Sequence, residues 1–138
     1  MSSPTPFELV LRVEDADIDR QGHVNNLVYL RWAQDVATAH WQSFASKEDD
    51  ETLLWVVMRH EIDYMAPALL GDELRIRTWI GKASGLTFER HTAVVRAADE
   101  QTLARARTLW CPLSTRTGRP QRISASLRAQ FSALEQGA

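Results

Sequence analysis

DADIDRQGHVNNLVYLRW, from Asp15 to Trp32, changes character twice along its length. It opens on alternating acids, Asp15, Asp17 and Asp19, tightens through Arg20, Gln21 and Gly22, and passes His23 to reach Asn25 and Asn26. Beyond that pair, apolar residues recur at helical spacing. Asn is a favoured helix N-cap, because its side-chain oxygen accepts from one of the orphan N–H groups of the first turn. Either Asn25 or Asn26 therefore starts a helix, with Asp19, Gly22 and His23 just ahead of its N-terminus. That end carries partial positive charge and free donors, which suits a carbonyl oxygen that becomes negative during reaction. The same residues also serve as caps and turn formers. Spacing alone favours capping over catalysis.

Upstream, Phe7 to Val13 (FELVLRV) alternates apolar with charged residues, the period of a half-buried strand. Downstream, Leu30, Ala33, Ala37, Trp41 and Phe44 recur at steps of three and four, with Val36 and His40 on the same side. Arg31, Gln34, Asp35, Thr38 and Gln42 take the other side, which predicts an amphipathic helix of about four to five turns. Lys47 to Glu51 reads as a solvated loop that ends it. Strands are then expected over Leu53–Tyr64, Leu74–Ile80, Leu86–Arg96 and Thr102–Leu113. Ala66-Pro67-Ala68 breaks the first of these, Gly71-Asp72 and Asp99-Glu100 form turns, and Gly81 to Gly85 reads as a connection. Ala104, Ala106, Thr108 and Trp110 share one face of the last strand, whose small residues are suited to a helix lying close. A polar turn region from Ser114 to Arg122 leads to a short helix from Ser124 to about Leu134, with Leu127, Phe131 and Leu134 on one stripe. One strand, one long helix and four strands joined by short turns predict an α+β fold, an antiparallel five-stranded sheet wrapped around the helix.

The length of 138 residues suits a single domain over 1–138 with a real core. Hydrophobic residues at 44% and charged residues at 25% are ordinary globular values, and a net charge of -2 carries no basic signature for nucleic acid. No stretch has the length of a membrane span, and MSSPTPFELV lacks the charged and apolar regions of a signal peptide. Cys111 is the only cysteine, so no intrachain disulfide is expected, in keeping with a cytoplasmic location. His23, His40, His60 and His91 show no HxxxH or HExxH spacing, and neither a metal nor a cofactor is expected. No Gly-x-Ser-x-Gly elbow suggests a serine hydrolase.

With that architecture, Asp17 to Asn26 and Tyr29 resemble the hotdog fold, and more narrowly the acyl-CoA thioesterases related to 4-hydroxybenzoyl-CoA thioesterase. Those proteins open their central helix with D-x-D-x-x-G and place a Tyr shortly inside it. His23-Val24-Asn25-Asn26 is also similar to the acyl-ACP thioesterase branch. Ile62 to Pro67, Gly71 to Leu74 and Thr117 to Pro120 extend the likeness over most of the chain. The resemblance implies hydrolysis of a fatty or other acyl-CoA to free acid and CoA, and it reverses the preference for capping. The alternatives are an acyl-ACP thioesterase and a non-catalytic acyl-CoA-binding protein; the latter's relatives carry a DNA-binding segment, and no helix-turn-helix is readable near the N-terminus here.

Carried over by position, the family's catalytic carboxylate falls on Asp19, as a nucleophile on the thioester carbonyl or as a base that activates water. Backbone N–H groups near His23 to Asn26 supply the oxyanion site. Asp17 either caps the loop or acts on Asp19 through like-charge repulsion. His23 and Asn26 join the catalytic set, while Gly22, Val24, Asn25, Tyr29 and Tyr64 border the substrate. Lys82 and Ser84 fall where relatives hold the CoA nucleotide. Arg75, Arg77, Arg90, Arg105 and Arg107 are expected on a basic outer face. Arg20 stands where the 4-hydroxybenzoyl-CoA enzymes have Pro, and Asn25-Asn26 where they have aromatic residues, which tilts the substrate towards fatty or branched acyl groups. The spacing from Asp19 to His23 does not match the D-x-N-P-x-H pattern of hotdog hydratases. The resemblance also implies a homodimer, or a homotetramer of two dimers, with each site closed by the partner's strand around His60 to Tyr64.

Overall fold

A computed structural model describes residues 5–136. Its elements are β1 (Phe7–Arg12), α1 (Asn26–Phe44), α2 (Lys47–Thr52), β2 (Leu53–Tyr64), β3 (Glu73–Ser84), β4 (Thr87–Arg96), β5 (Gln101–Ser114) and α3 (Ala125–Leu134). The strands form one antiparallel sheet in the order β1-β3-β4-β5-β2, as expected of an α+β hotdog arrangement. β2 lies at one edge although it precedes three of its fellows in sequence. The reason is that β3, β4 and β5 are joined by tight turns and must be neighbours, so β1 and β2 take the two flanks.

The register follows the hydrophobic alternation. Leu9 sits opposite Ile76 and Leu11 opposite Leu74, so both strands turn these residues to one face. α1 lies across that face over β3 and β1. Its buried side carries Tyr29, Trp32, Ala33, Val36, Ala37, His40 and Trp41. Two core clusters divide its length. Val13, Val24, Tyr29, Trp32, Val36, Leu74, Ile76 and Leu103 surround its first half. Trp41, Leu53, Ile80, Phe88, Ile123, Leu127 and Phe131 surround its end, where α3 closes the sheet.

Two expectations need correction. Lys47–Thr52 is a short helix, not a loop: Ser46 caps it by accepting from Asp49 N at 3.0 Å, and Glu48, Asp49 and Asp50 stand at its positive end. Gly81 to Ser84 belongs to β3, which runs past a bulge at Ile80 to pair Ser84 with Thr87, so the turn is confined to Gly85 and Leu86.

Candidate active site

The acidic stretch folds as a tight hook. A 3-10 turn over Asp15–Asp17 leads to Ile18, which bridges to Val24. Asp19 N donates to His23 O at 3.0 Å and Gly22 N to Asp19 O at 3.1 Å, which folds the residues between them back on themselves. Gly22 has φ +83°, the left-handed region that glycine enters freely and other residues rarely do. The hook is tied down by Val24 N to Ala68 O at 3.0 Å and Asn25 N to Asp17 O at 2.9 Å, and Val24 is only 1% exposed.

The three acids part company. Asp15 is exposed on the 3-10 turn. Asp17 is buried; its carboxylate accepts from Glu14 N at 3.0 Å and from Arg31 of α1 at 2.9 Å. It is an anchor between hook and helix. Asp19 is half-buried and accepts from Gln21 N at 2.9 Å through Oδ1, and no bond to Oδ2 occurs among the described residues. That carboxylate stands before α1 with one oxygen fixed and the other without a protein partner.

Asn25 is the N-cap of α1, its Oδ1 accepting from Leu27 N at 2.9 Å, and Asn26 is the first helical residue. The donors of this stretch can then be followed one by one. Gly22 N, Val24 N, Asn25 N and Leu27 N are all engaged, which leaves the N–H groups of His23 and Asn26 without a partner among the described residues. The His23 ring is half-buried, with Nδ1 3.5 Å from Val24 O. Asn26 is exposed; its carbonyl accepts from Tyr64 Oη at 3.1 Å. Tyr29 is core and anchor: its hydroxyl accepts from Ala68 N at 3.0 Å, and its ring meets Tyr64 and Trp32 edge-on at 5.3 and 5.2 Å. Burial raises the ionisation of both Tyr29 and Tyr64 above the usual tyrosine range, so both act as neutral hydroxyls. Within its own chain, Tyr64 thus meets both the first residue of α1 and Tyr29.

The remaining predicted residues lie elsewhere. Lys82 and Ser84 are exposed near the far end of β3, away from the hook. The expected basic outer face is largely neutralised by ion pairs, Arg75 and Arg77 with Glu100, Arg77 with Glu8, and Arg107 with Glu89 and Glu61. Arg90 is not on that face at all. It lies on the inner face of β4, 7% exposed, bonded to His40 Nδ1 at 2.9 Å and Thr78 Oγ1 at 3.0 Å. Alternation along β4 carried the signal, because Phe88, Arg90 and Thr92 share one parity and are all buried.

A cavity of about 280 Å³ opens at the other end of α1, walled by Trp41, Trp55, Phe88, Arg90, Trp110 and Phe131. A smaller hollow of about 10 Å³ lies nearer the hook, between Tyr29 and Ala33 of α1 and Thr92, Ala104 and Ala106 of the sheet. The small residues of β5 thus do face the helix. The large cavity was not anticipated, although three of the five tryptophans of the chain wall it. No helix among the described residues is long and apolar enough to cross a membrane.

The antiparallel sheet and the long central helix together define the hotdog fold. The family model of the thioesterase-like superfamily matches residues 13–131, and the chain belongs to that family; it is a hydrolase of thioesters. Its fold is similar to a 1,4-dihydroxy-2-naphthoyl-CoA thioesterase from Synechocystis, with 21% identity over 93% of this chain and 96% of that one, at a TM-score of 0.79. It is also similar to the dynemicin thioesterase, whose crystal structures reveal polyene binding, with 19% identity over 97% and 100% and a TM-score of 0.84. A 12:0-ACP thioesterase from Umbellularia californica shares 20% identity over 95% of this chain and 51% of its own length, with a TM-score of 0.81.

Proposed function

We propose that the protein hydrolyses an acyl-CoA to free acid and CoA, with Asp19 as the catalytic carboxylate. The observation that carries this reading is the Asp19 carboxylate, one oxygen held by Gln21 N, in the loop that leads into α1, where the N–H groups of His23 and Asn26 have no partner among the described residues. A thioester carbonyl placed between them has a base or nucleophile on one side and oxyanion donors, His23 N and Asn26 N, on the other. In the base route, Asp19 takes a proton from water, the hydroxide oxygen bonds to the carbonyl carbon, and the resulting oxyanion is held by those donors. Collapse breaks the carbon–sulfur bond, and the proton passes to the departing thiolate. In the nucleophile route, an Asp19 oxygen bonds to the carbonyl carbon and the carbon–sulfur bond breaks, which releases the CoA thiolate and leaves a mixed anhydride; water then cleaves that anhydride to the free acid and the restored Asp19 carboxylate, and a proton from the water passes to the thiolate. In this reading the His23 ring and the Asn26 side chain orient water or the carbonyl. Gly22, Asn25 and Tyr64 border the substrate with the buried Val24 and Tyr29 behind them, while Lys82 and Ser84, distant from the hook of their own chain, hold the nucleotide end of a CoA bound at the hook of a second copy.

Assembly as a homodimer through β2 belongs to the same proposal. β2 is a long strand at the sheet edge that exposes Leu54 and Met58, 54% and 61% accessible, and an open apolar edge is a template for a second copy. Leu27, Met65, Leu69 and Leu70 are likewise exposed around the hook. Thiol release from acyl-CoA esters of graded length, run beside the same acyl groups on a carrier protein, tests the substrate assignment. Faster turnover of the CoA esters supports it; turnover confined to the carrier-protein esters replaces it with the acyl-ACP reading.

A further inference from the structure

Arg90 is a buried cation with no anion paired to it among the described residues. Among the described residues it takes part in no ion pair, and its two hydrogen bonds go to neutral groups and use a single nitrogen, Nη1. Burial lowers its proton affinity to about 10, which still leaves it charged near neutrality. The same burial, reinforced by the Arg90 charge, lowers His40 to about 4, so His40 is a neutral acceptor there. Two acids border the cavity. Glu89 bonds to Arg107 and to Lys82 N, and Asp50 is exposed and accepts from Trp41 Nε1 at 2.8 Å. Neither forms an ion pair with Arg90. A buried charge without a counter-charge is costly enough that proteins rarely keep one without a partner.

The space beside Arg90 has a definite chemistry. Trp41 meets Trp55 at 5.5 Å, Trp55 meets Phe88 at 5.1 Å, and Phe88 meets Phe131 at 5.3 Å, so the walls are tilted and edge-on rings that brace one another. Arg128 of α3 stands over the Phe88 ring at 6.0 Å and adds a second cation nearby. An apolar cavity of ~150 Å³ accepts benzene, so about 280 Å³ suits a fused pair of rings. We propose that this cavity is a binding site for a planar aromatic carboxylate of about two fused rings, stacked among Trp41, Trp55 and Phe131 with its carboxylate on Arg90. The site lies ~17 Å along α1 from Asn26, by the helix rise between Asn26 and Ala37, and does not depend on how Asp19 acts.

Calorimetric titration of the full-length protein with 2-naphthoate and with its neutral match 2-naphthamide tests this. The wild type is expected to bind the carboxylate at least tenfold more tightly. Arg90→Gln, which keeps a donor for Thr78, is expected to abolish that preference. Thr38→Trp, at an exposed helix position on the cavity wall, is expected to weaken both ligands and serves if Arg90→Gln does not fold. Asp19→Asn is expected to leave both affinities unchanged, so failure of the hydrolytic reading and failure of this one are separable. Equal affinity for acid and amide, no binding of either at millimolar concentration, or an unaltered preference in Arg90→Gln would overturn the proposal.

Discussion

At the scale of single residues, chemically identical side chains two positions apart do different work. Asp17 and Asp19 look interchangeable in the sequence, yet Asp17 is buried against Glu14 N and Arg31 while Asp19 keeps one oxygen without a protein partner. Asp17→Ala strands the Glu14 donor and the Arg31 end of the bridge, and is expected to cost about 2–3 kcal/mol, the scale of hydrogen bonds to a charged group, measured as a lower urea midpoint. His40 supplies a pH signature. Its folded value of about 4 lies below the ordinary histidine value of 6.5, so the unfolded chain takes up the proton first. Stability is therefore complete above 6.5 and falls as pH drops towards 4. His40→Asn retains an acceptor for Arg90 and should flatten that fall in a melting-temperature series, leaving the part due to His60, which burial also lowers. The position of Asp19 before a helix was legible from Asn25-Asn26. The anchoring of Asp17 was not, because Arg31 lies a full turn inside α1 and only the folded hook brings the two together.

At the scale of elements, period and punctuation carried most of the information. Alternation and β-rich composition located every strand, and the Asn pair located the start of α1 to within a residue. What failed was the reading of a charge run as a loop: Lys47–Thr52 is solvated but helical, because Ser46 caps it and its acids sit in the first turn. Glycine misled in the opposite sense at Gly81, which lies within β3 because its bare Cα admits Glu89, whose Oε2 would be 2.8 Å from an added Cβ. The cap that matters for the site is Asn25. Asn25→Ala removes the acceptor for Leu27 N and is expected to cost about 1 kcal/mol in denaturant unfolding. It frays the turn that presents Asn26 N, so thiol release should fall more than stability alone explains.

At the scale of the whole molecule, the sheet order puts the hook beside Tyr64 at one end of α1 and the aromatic cavity near the other. The fold class was readable from element order, and the placement of the proposed site at the hook rests on the family resemblance. The cavity was not, since its walls come from all three helices and from β2, β3, β4 and β5, and no local pattern records that meeting. The exposed edge of β2 adds an expectation about assembly: Met58→Glu places a charge on that edge and should convert a dimer to a monomer in light scattering, with at least a tenfold loss of activity. The central claim is that Asp19, and not its neighbour, performs the chemistry. Thiol release by Asp19→Asn, compared with wild type at matched fold and assembly, measures this most directly. A fall of at least a hundredfold in turnover with native circular dichroism is the predicted result; turnover within a few fold of wild type would contradict the account.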